Sequence, residues 1–233
     1  MHPEDGVVKF QAQHSPHALS PRRFDGLAGR LLGWRDVLVR LGGVGQDPAR
    51  YGGAGFGNVS ARVGPFPGAR GARAFLITGT QTGGWPCIGL DGLSLVRRYE
   101  IEANRVVSEG AVAPSSEAMT HGAVYDLSPR IRCVLHVHAP VLWARAAELG
   151  LPITPPEVAY GTVAMAQAVS RVARASVDGD HGVFSMGGHP DGIIAWGTSV
   201  DAAGSALVAA VAAASARVYA DRHALCSGPL GRP

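Results

Sequence analysis

Apolar positions Leu27, Leu31, Trp34, Val37, Leu38 and Leu41 recur at spacings of three and four, with Pro21 just ahead of them. Such spacings gather apolar side chains on one side of a helix, so the stripe predicts a helix over residues 22–41 that packs one face. Residues 1–20 show no period and contain Pro3 and Pro16, so they read as a loose N-terminal extension. Apolar residues alternate with polar ones in Asn58-Val59-Ser60-Ala61-Arg62, which suggests a strand edge, whereas Ala74-Phe75-Leu76-Ile77 is a continuous apolar run that predicts a buried strand. Ser115, a plausible N-cap, precedes a helical stretch over 116–127 that ends before Pro129, and Ile131-Arg132-Cys133-Val134-Leu135-His136-Val137-His138 reads as the next strand. A further helix is predicted over 157–175, a strand pair over 182–196 around Gly188-His189-Pro190-Asp191-Gly192, and a last long helix beginning near Ser199. No repeat or linker divides the chain, so 21–223 reads as one domain and 224–233 as a loose tail.

Composition narrows the class without changing that map. With 233 residues, 46% hydrophobic and 17% charged, the chain can bury one sizeable core, and 32 glycines with 16 prolines imply many turns. The formal charge of +3 is small and its basic residues are scattered, which argues against the phosphate-tracking stripe of a nucleic-acid binder. Cys87, Cys133 and Cys226 are odd in number and lack CxxC spacing, against a disulfide framework or a cysteine zinc site and in favour of a cytoplasmic setting. The N-terminus carries no secretion signal, and the alanine-rich stretch 202–219 is broken by Gly204, Ser205, Ser215 and Arg217, so it reads as a packed helix and not a membrane span. Basic charge is almost wholly arginine; Lys9 is the single lysine, in the irregular stretch outside the core pattern.

Chemistry concentrates around the middle of the chain. Side chains on a strand alternate faces, so His136 and His138 point the same way, roughly 7 Å apart along the strand, while Leu135 and Val137 turn to the other layer. Paired this way they suit a metal or, equally well on their own, a hydrogen-bonded surface pair, since zinc wants three protein ligands. Glu117, behind Ser115 and Ser116, sits where a helix dipole favours a carboxylate, and the same helix start offers N–H groups and hydroxyls to a phosphate or carboxylate. The loop Thr78-Gly79-Thr80-Gln81-Thr82-Gly83-Gly84 presents further donors to an anion.

Four segments together, Gly57-Asn58-Val59-Ser60-Ala61-Arg62, Leu76-Ile77-Thr78-Gly79-Thr80, Pro114-Ser115-Ser116-Glu117 and Val134-Leu135-His136-Val137-His138-Ala139, resemble the class II aldolase/adducin family in kind and order. The resemblance implies a three-layer α/β/α sandwich on a central, largely antiparallel sheet, usually assembled as a homotetramer with sites at subunit boundaries. It also implies that His136 and His138 hold a metal, zinc or another divalent ion. Glu117 is then the catalytic acid/base, and Asn58, Thr78, Gly79, Ser115 and Ser116 form the anion cradle. The family's third ligand is commonly a histidine directly before glycine, a place occupied here by Asp191. His189 is favoured because neutral imidazole completes a tri-histidine site and a bulge could bring it in, with Asp191 a legitimate oxygen donor and His181 a remote option. His121, four residues after Glu117, either orients that carboxylate or is an ordinary helix histidine; Tyr160 and Tyr219 are candidate proton donors or packing residues.

Cleaving a C–C bond beside a carbonyl needs an electron sink, a lysine Schiff base or a metal, and with Lys9 alone available the metal must serve. The expectation is a cytoplasmic, metal-dependent aldolase-type lyase of carbohydrate metabolism. It would act on a small hydroxy-ketone, sugar phosphate or sugar acid through a metal-stabilised enediolate, with no nucleic acid or membrane involved. Epimerase, dehydratase or decarboxylase chemistry on the same scaffold, or a non-catalytic adducin-like interaction module, is the alternative.

Overall fold

The structure is a computed structural model that describes residues 9–176 and 179–226. In chain order its elements are β1 (Gln11–Pro16), α1 (Pro21–Arg40), β2 (Gly45–Gln46), β3 (Gly55–Phe56), β4 (Asn58–Arg62), β5 (Phe75–Thr78), β6 (Leu93–Glu100) and β7 (Arg105–Gly110). There follow α2 (Ala118–Leu127), β8 (Cys133–His138), α3 (Pro140–Ala144), α4 (Val163–Val172), β9 (His181–Ser185), β10 (Gly192–Gly197) and α5 (Val200–Cys226). Eight strands form one sheet in the order β1-β7-β6-β5-β4-β8-β10-β9, antiparallel at every pairing except β1 with β7.

Alternation along the central strands builds both layers. Val59 and Ala61 of β4, Leu135 and Val137 of β8, and Ile193 and Ala195 of β10 face Leu31 and Leu38 of α1 and Ala203 and Leu207 of α5. The other face takes Phe75, Ile77, Val134, Ile194 and Trp196 and packs them on Met119 and Ala123 of α2 and Met165 and Val169 of α4. The result is the expected α/β/α sandwich. Helix α5 has the length and apolarity to cross a membrane over Val200–His223, yet it docks on β9 and β10, with its stripe Ala203, Leu207 and Ala214 buried.

Several elements depart from the sequence pattern. The segment read as a loose extension supplies β1 over residues 11–16, held parallel to β7 from Gln11 opposite Arg105 to Pro16 opposite Gly110, and Phe10 is buried in the α2-side core. An edge strand needs pairing on one side only, so β1 shows no apolar alternation. Strands β6 and β7 carry no clear signal in the sequence either: in β6 a β-bulge between Val96 and Arg98 exposes Arg97 and Arg98 in succession, and in β7 the alternating buried positions are Val106, Ser108 and Gly110, of which one alone is a large apolar residue. Residues 58–62 are a central strand, buried along their whole length, and not a sheet edge. The helix predicted over 157–175 is confined to Val163–Val172, where the Thr162 hydroxyl caps it by accepting the Met165 N–H at 3.1 Å. Residues 224–226 of the expected loose tail continue α5, and the rest of that tail, like residues 1–8, lies outside the described residues.

Candidate metal centre and active-site cleft

Strand β8 lies between β4 and β10, with Asn58 opposite His136, Ile194 opposite His136 and Gly192 opposite His138. Both histidines face the α2 side, buried, with ring centroids 5.2 Å apart. His189 comes from the turn joining β9 to β10. There the His189 N–H donates to the Met186 carbonyl at 3.1 Å and the Gly192 N–H donates back to the His189 carbonyl at 2.9 Å. Asp191 takes a left-handed conformation (φ 65°) to close this turn. A Cβ at Gly192 would stand 2.7 Å from Cδ2 of His189, so glycine there lets the imidazole fold back over the strand ends. The His189 ring lies 5.1 Å from that of His136 and 4.8 Å from that of His138, and one ligand-capable nitrogen from each of the three lies within 4.8 Å of the others.

The turn brings His189, and not Asp191, to the pair. The Asp191 carboxylate instead accepts the Tyr51 hydroxyl at 2.5 Å, and that hydroxyl accepts from Arg50 at 2.9 Å. Burial, reinforced by the Asp191 contact, pushes the Tyr51 phenol up to about 12, and its ring packs edge-on against His138 at 4.4 Å. His181 pairs with Gly197 at the far end of β10.

Burial keeps the three imidazoles neutral. It lowers His136 to about 4, against a small upward pull from the Ile193 carbonyl, and lowers His138 and His189 as well, helped by the neighbouring rings. Nδ1 of His136 is 3.3 Å from the Ile193 carbonyl oxygen, an arrangement that places the proton on Nδ1 and leaves the Nε2 lone pair facing Nε2 of His189 at 3.2 Å. Two such nitrogens at that distance need a proton or a cation between them. Nδ1 of His138 is buried with no hydrogen-bond partner among the described residues. Neutral, desolvated imidazoles converging from three directions are a donor set that fits a divalent transition metal, zinc foremost.

Glu117 occupies the N-cap of α2, buried in the wall of the same cleft, with its N–H donating to the Ser115 hydroxyl at 3.3 Å. Ser115, Ser116, Asn58 and Gly79 also line the cleft, and Oδ1 of Asn58 is buried without a partner among the described residues. Thr78 does not line it: its hydroxyl accepts the Val59 N–H at 3.2 Å and ties β5 to β4. Gly79 donates its N–H to the Gly92 carbonyl at 2.9 Å, and a Cβ there would stand 2.4 Å from Cγ2 of Val112, so its N–H is already engaged and glycine is needed for the close approach. The His121 ring, wholly buried and held neutral by burial, meets Ser60 Oγ at 2.7 Å, which in turn lies 2.7 Å from the Tyr125 hydroxyl.

Lys9 backs one wall of the cleft. Its ammonium donates to the Tyr160 carbonyl at 3.1 Å and sits 3.7 Å from the centre of the Tyr160 ring, which stacks on His189 at 4.6 Å and 29°. A lone lysine in a segment without periodicity carries no signal of this, and only the β1–β7 pairing delivers it. Tyr160 thus belongs to the cleft, whereas Tyr219 is exposed on α5.

The chain belongs to the class II aldolase and adducin N-terminal domain family, which matches residues 49–218. Among solved structures it is similar to L-fuculose-1-phosphate aldolase from Thermus thermophilus, at 19% identity and TM-score 0.60 over 88% of this chain and 98% of that one. It is also similar to YgbL of Klebsiella pneumoniae, described as a putative aldolase/epimerase/decarboxylase, at 20% identity and TM-score 0.57 over 82% and 87% of the two chains. A sugar-phosphate aldolase from Thermotoga maritima matches at 16% identity and TM-score 0.58 over 85% and 95%. No curated protein matches the chain.

Proposed function

We propose that this protein is a divalent-metal-dependent aldolase-type lyase, making or breaking the C–C bond beside the carbonyl of a small hydroxy-ketone, sugar phosphate or sugar acid. The observation that carries the reading is the convergence of His136, His138 and His189 in one cleft with the buried Glu117. The three imidazoles would hold the ion, zinc by the chemistry of the donor set, and a cation there supplies the electron sink that a carbonyl-adjacent cleavage requires. Glu117 accepts and returns the proton as general acid/base, and its burial strengthens every charge interaction in the cleft. Ser115, Ser116 and the Asn58 amide orient the substrate's anionic end, with Thr78 and Gly79 shaping their support. Lys9 fixes Tyr160 against His189 from behind.

The free space among these side chains is ≈ 30 Å³, of the order of one ion or water, so the body of a substrate extends to the rim formed by Gly55, Gln81 and Gly83. Homotetramer assembly, a cytoplasmic setting and a role in carbohydrate metabolism go with this reading through the family. The fold and these side chains leave the bond open, and the YgbL description makes epimerisation or decarboxylation of a related acid the second reading. Elemental analysis combined with retro-aldol assays on L-fuculose 1-phosphate and other hydroxy-ketone phosphates tests the proposal. About one zinc per chain, with turnover that falls by roughly 10²–10⁴ in Glu117→Gln while metal is retained, is the expected result. A protein that takes up no metal from excess zinc would instead be a non-catalytic interaction module.

A further inference from the structure

A second cavity, of ≈ 370 Å³, opens away from the histidine cleft. Asn58 starts β4 beside His136, whereas Arg62 ends it, so the cavity lies at the opposite end of the same strand, on the order of 13 Å away. Its walls carry four arginines from three parts of the chain: Arg23 and Arg30 of α1, Arg62 of β4, and Arg132 just before β8. Their seven-residue spacing puts Arg23 and Arg30 on one face of α1. Among the described residues none of the four forms an ion pair, although Arg35, Arg73, Arg97, Arg105, Arg130 and Arg145 each meet a carboxylate.

Arg62 makes the deficit costly. It is 3% exposed, and among the described residues its one hydrogen bond goes from Nη2 to the Pro67 carbonyl at 3.0 Å, leaving Nε and Nη1 buried without partners there. Its guanidinium lies 5.3 Å from the Phe66 ring centre, and that of Arg132 lies 3.7 Å from the same ring. Stacking on one aromatic ring holds these two cations close together despite their repulsion. The single carboxylate in the wall, Asp201, accepts the Trp34 indole N–H at 2.7 Å. The cavity also meets the start of α5, where Ser199 caps the helix by accepting the Ala202 N–H at 3.0 Å, adding the positive end of a helix dipole. A buried charge without a counter-ion destabilises the folded state by more than a pair would, and a mobile anion in the adjoining cavity relieves that.

We propose that this cavity is a second ligand site, separate from the histidine centre, that takes a phosphate group, either as inorganic phosphate or as a phosphomonoester. Arg30 from α1 and Arg132 from the start of β8 contact the anion, guanidinium forks being matched to phosphate oxygens. Arg62 supplies buried positive potential behind them. The inference stands apart from the catalytic reading: it uses none of the residues of the histidine cleft.

Calorimetric titration of the metal-loaded full chain with inorganic phosphate, and separately with glycerol phosphate, tests it in wild type, Arg30→Gln/Arg132→Gln and the exposed control Arg98→Gln, each checked for an unchanged melting profile. The expected result is a phosphate-binding isotherm weakened by about tenfold or more in the double variant and unchanged in the control. Ser116→Ala separates the two sites, because binding that it weakens belongs to the histidine cleft and binding that it spares while the double variant weakens it belongs to the arginine cavity. Should the catalytic reading fail, wild type would still show this one site. Identical isotherms in wild type and the double variant, or no phosphate binding in wild type, would overturn the proposal. If only glycerol phosphate responds, the ligand is an organic phosphate; equal responses identify the phosphate group itself.

Discussion

His189 and Asp191 stand two residues apart in one turn, yet their side chains go to different partners. The left-handed Asp191 aims its carboxylate at Tyr51, while the turn folds the His189 imidazole over His136 and His138. His189→Ala is therefore expected to lose metal, and Asp191→Asn to keep it at near wild-type stoichiometry, as read by elemental analysis after gel filtration. The reverse pattern would make the carboxylate the ligand. His121 gives a second expectation at this scale. Burial holds its folded pKa well below the ordinary 6.5, so as pH falls through about 6.5 the unfolded chain takes up a proton that the folded chain refuses. Stability contributed in this way is complete above that pH and declines below it. Denaturant unfolding of the metal-free protein between pH 7 and 5 should show a shallower decline in His121→Gln, and an identical slope in both proteins would refute the assignment. The groups facing it are Ser60, Tyr125 and His136; the phenol, pushed up by burial, carries no charge over this range, and His136 adds to the lowering.

At the scale of elements, β8 was legible because its six residues alternate cleanly between Val134, His136 and His138 on one side and Cys133, Leu135 and Val137 on the other. Helix α1 was legible for the same kind of reason at a period near 3.6. Strand β1 was not. It borrows its shape from β7, and its most consequential residues, Lys9 and Phe10, precede it and act across the fold on Tyr160 and the α2-side core. Removing residues 1–16 should thus behave as a core deletion. Loss of the buried Phe10 alone costs about 3–5 kcal/mol, and exposure of the β7 edge favours association between chains. A truncated protein with the wild-type melting temperature and no aggregation would return the segment to the status of a loose extension.

For the whole molecule, the sheet is the device that makes a site from distant residues. β8 lies between β4 and β10, so Asn58, His136 and the turn bearing His189 meet at one end of three neighbouring strands, and α2 delivers Glu117 over that end. An ion shared by groups so far apart in sequence binds the folded state alone, so excess zinc should raise the melting temperature at pH 7.5 and a chelator should lower it. No response to either would remove the metal from the picture. Local periodicity and a few motif residues determined, by themselves, the helices α1, α2 and α5, the strand with its paired histidines, the acid at the helix start and the family. These depend on neighbours within one turn or one strand. Tertiary structure alone decided which residue joins the histidine pair, that Lys9 backs Tyr160, that the Thr78 hydroxyl and the Gly79 N–H are engaged within the fold, and that four arginines line one cavity. Each of these depends on pairing and packing between segments whose separation along the chain no local pattern encodes.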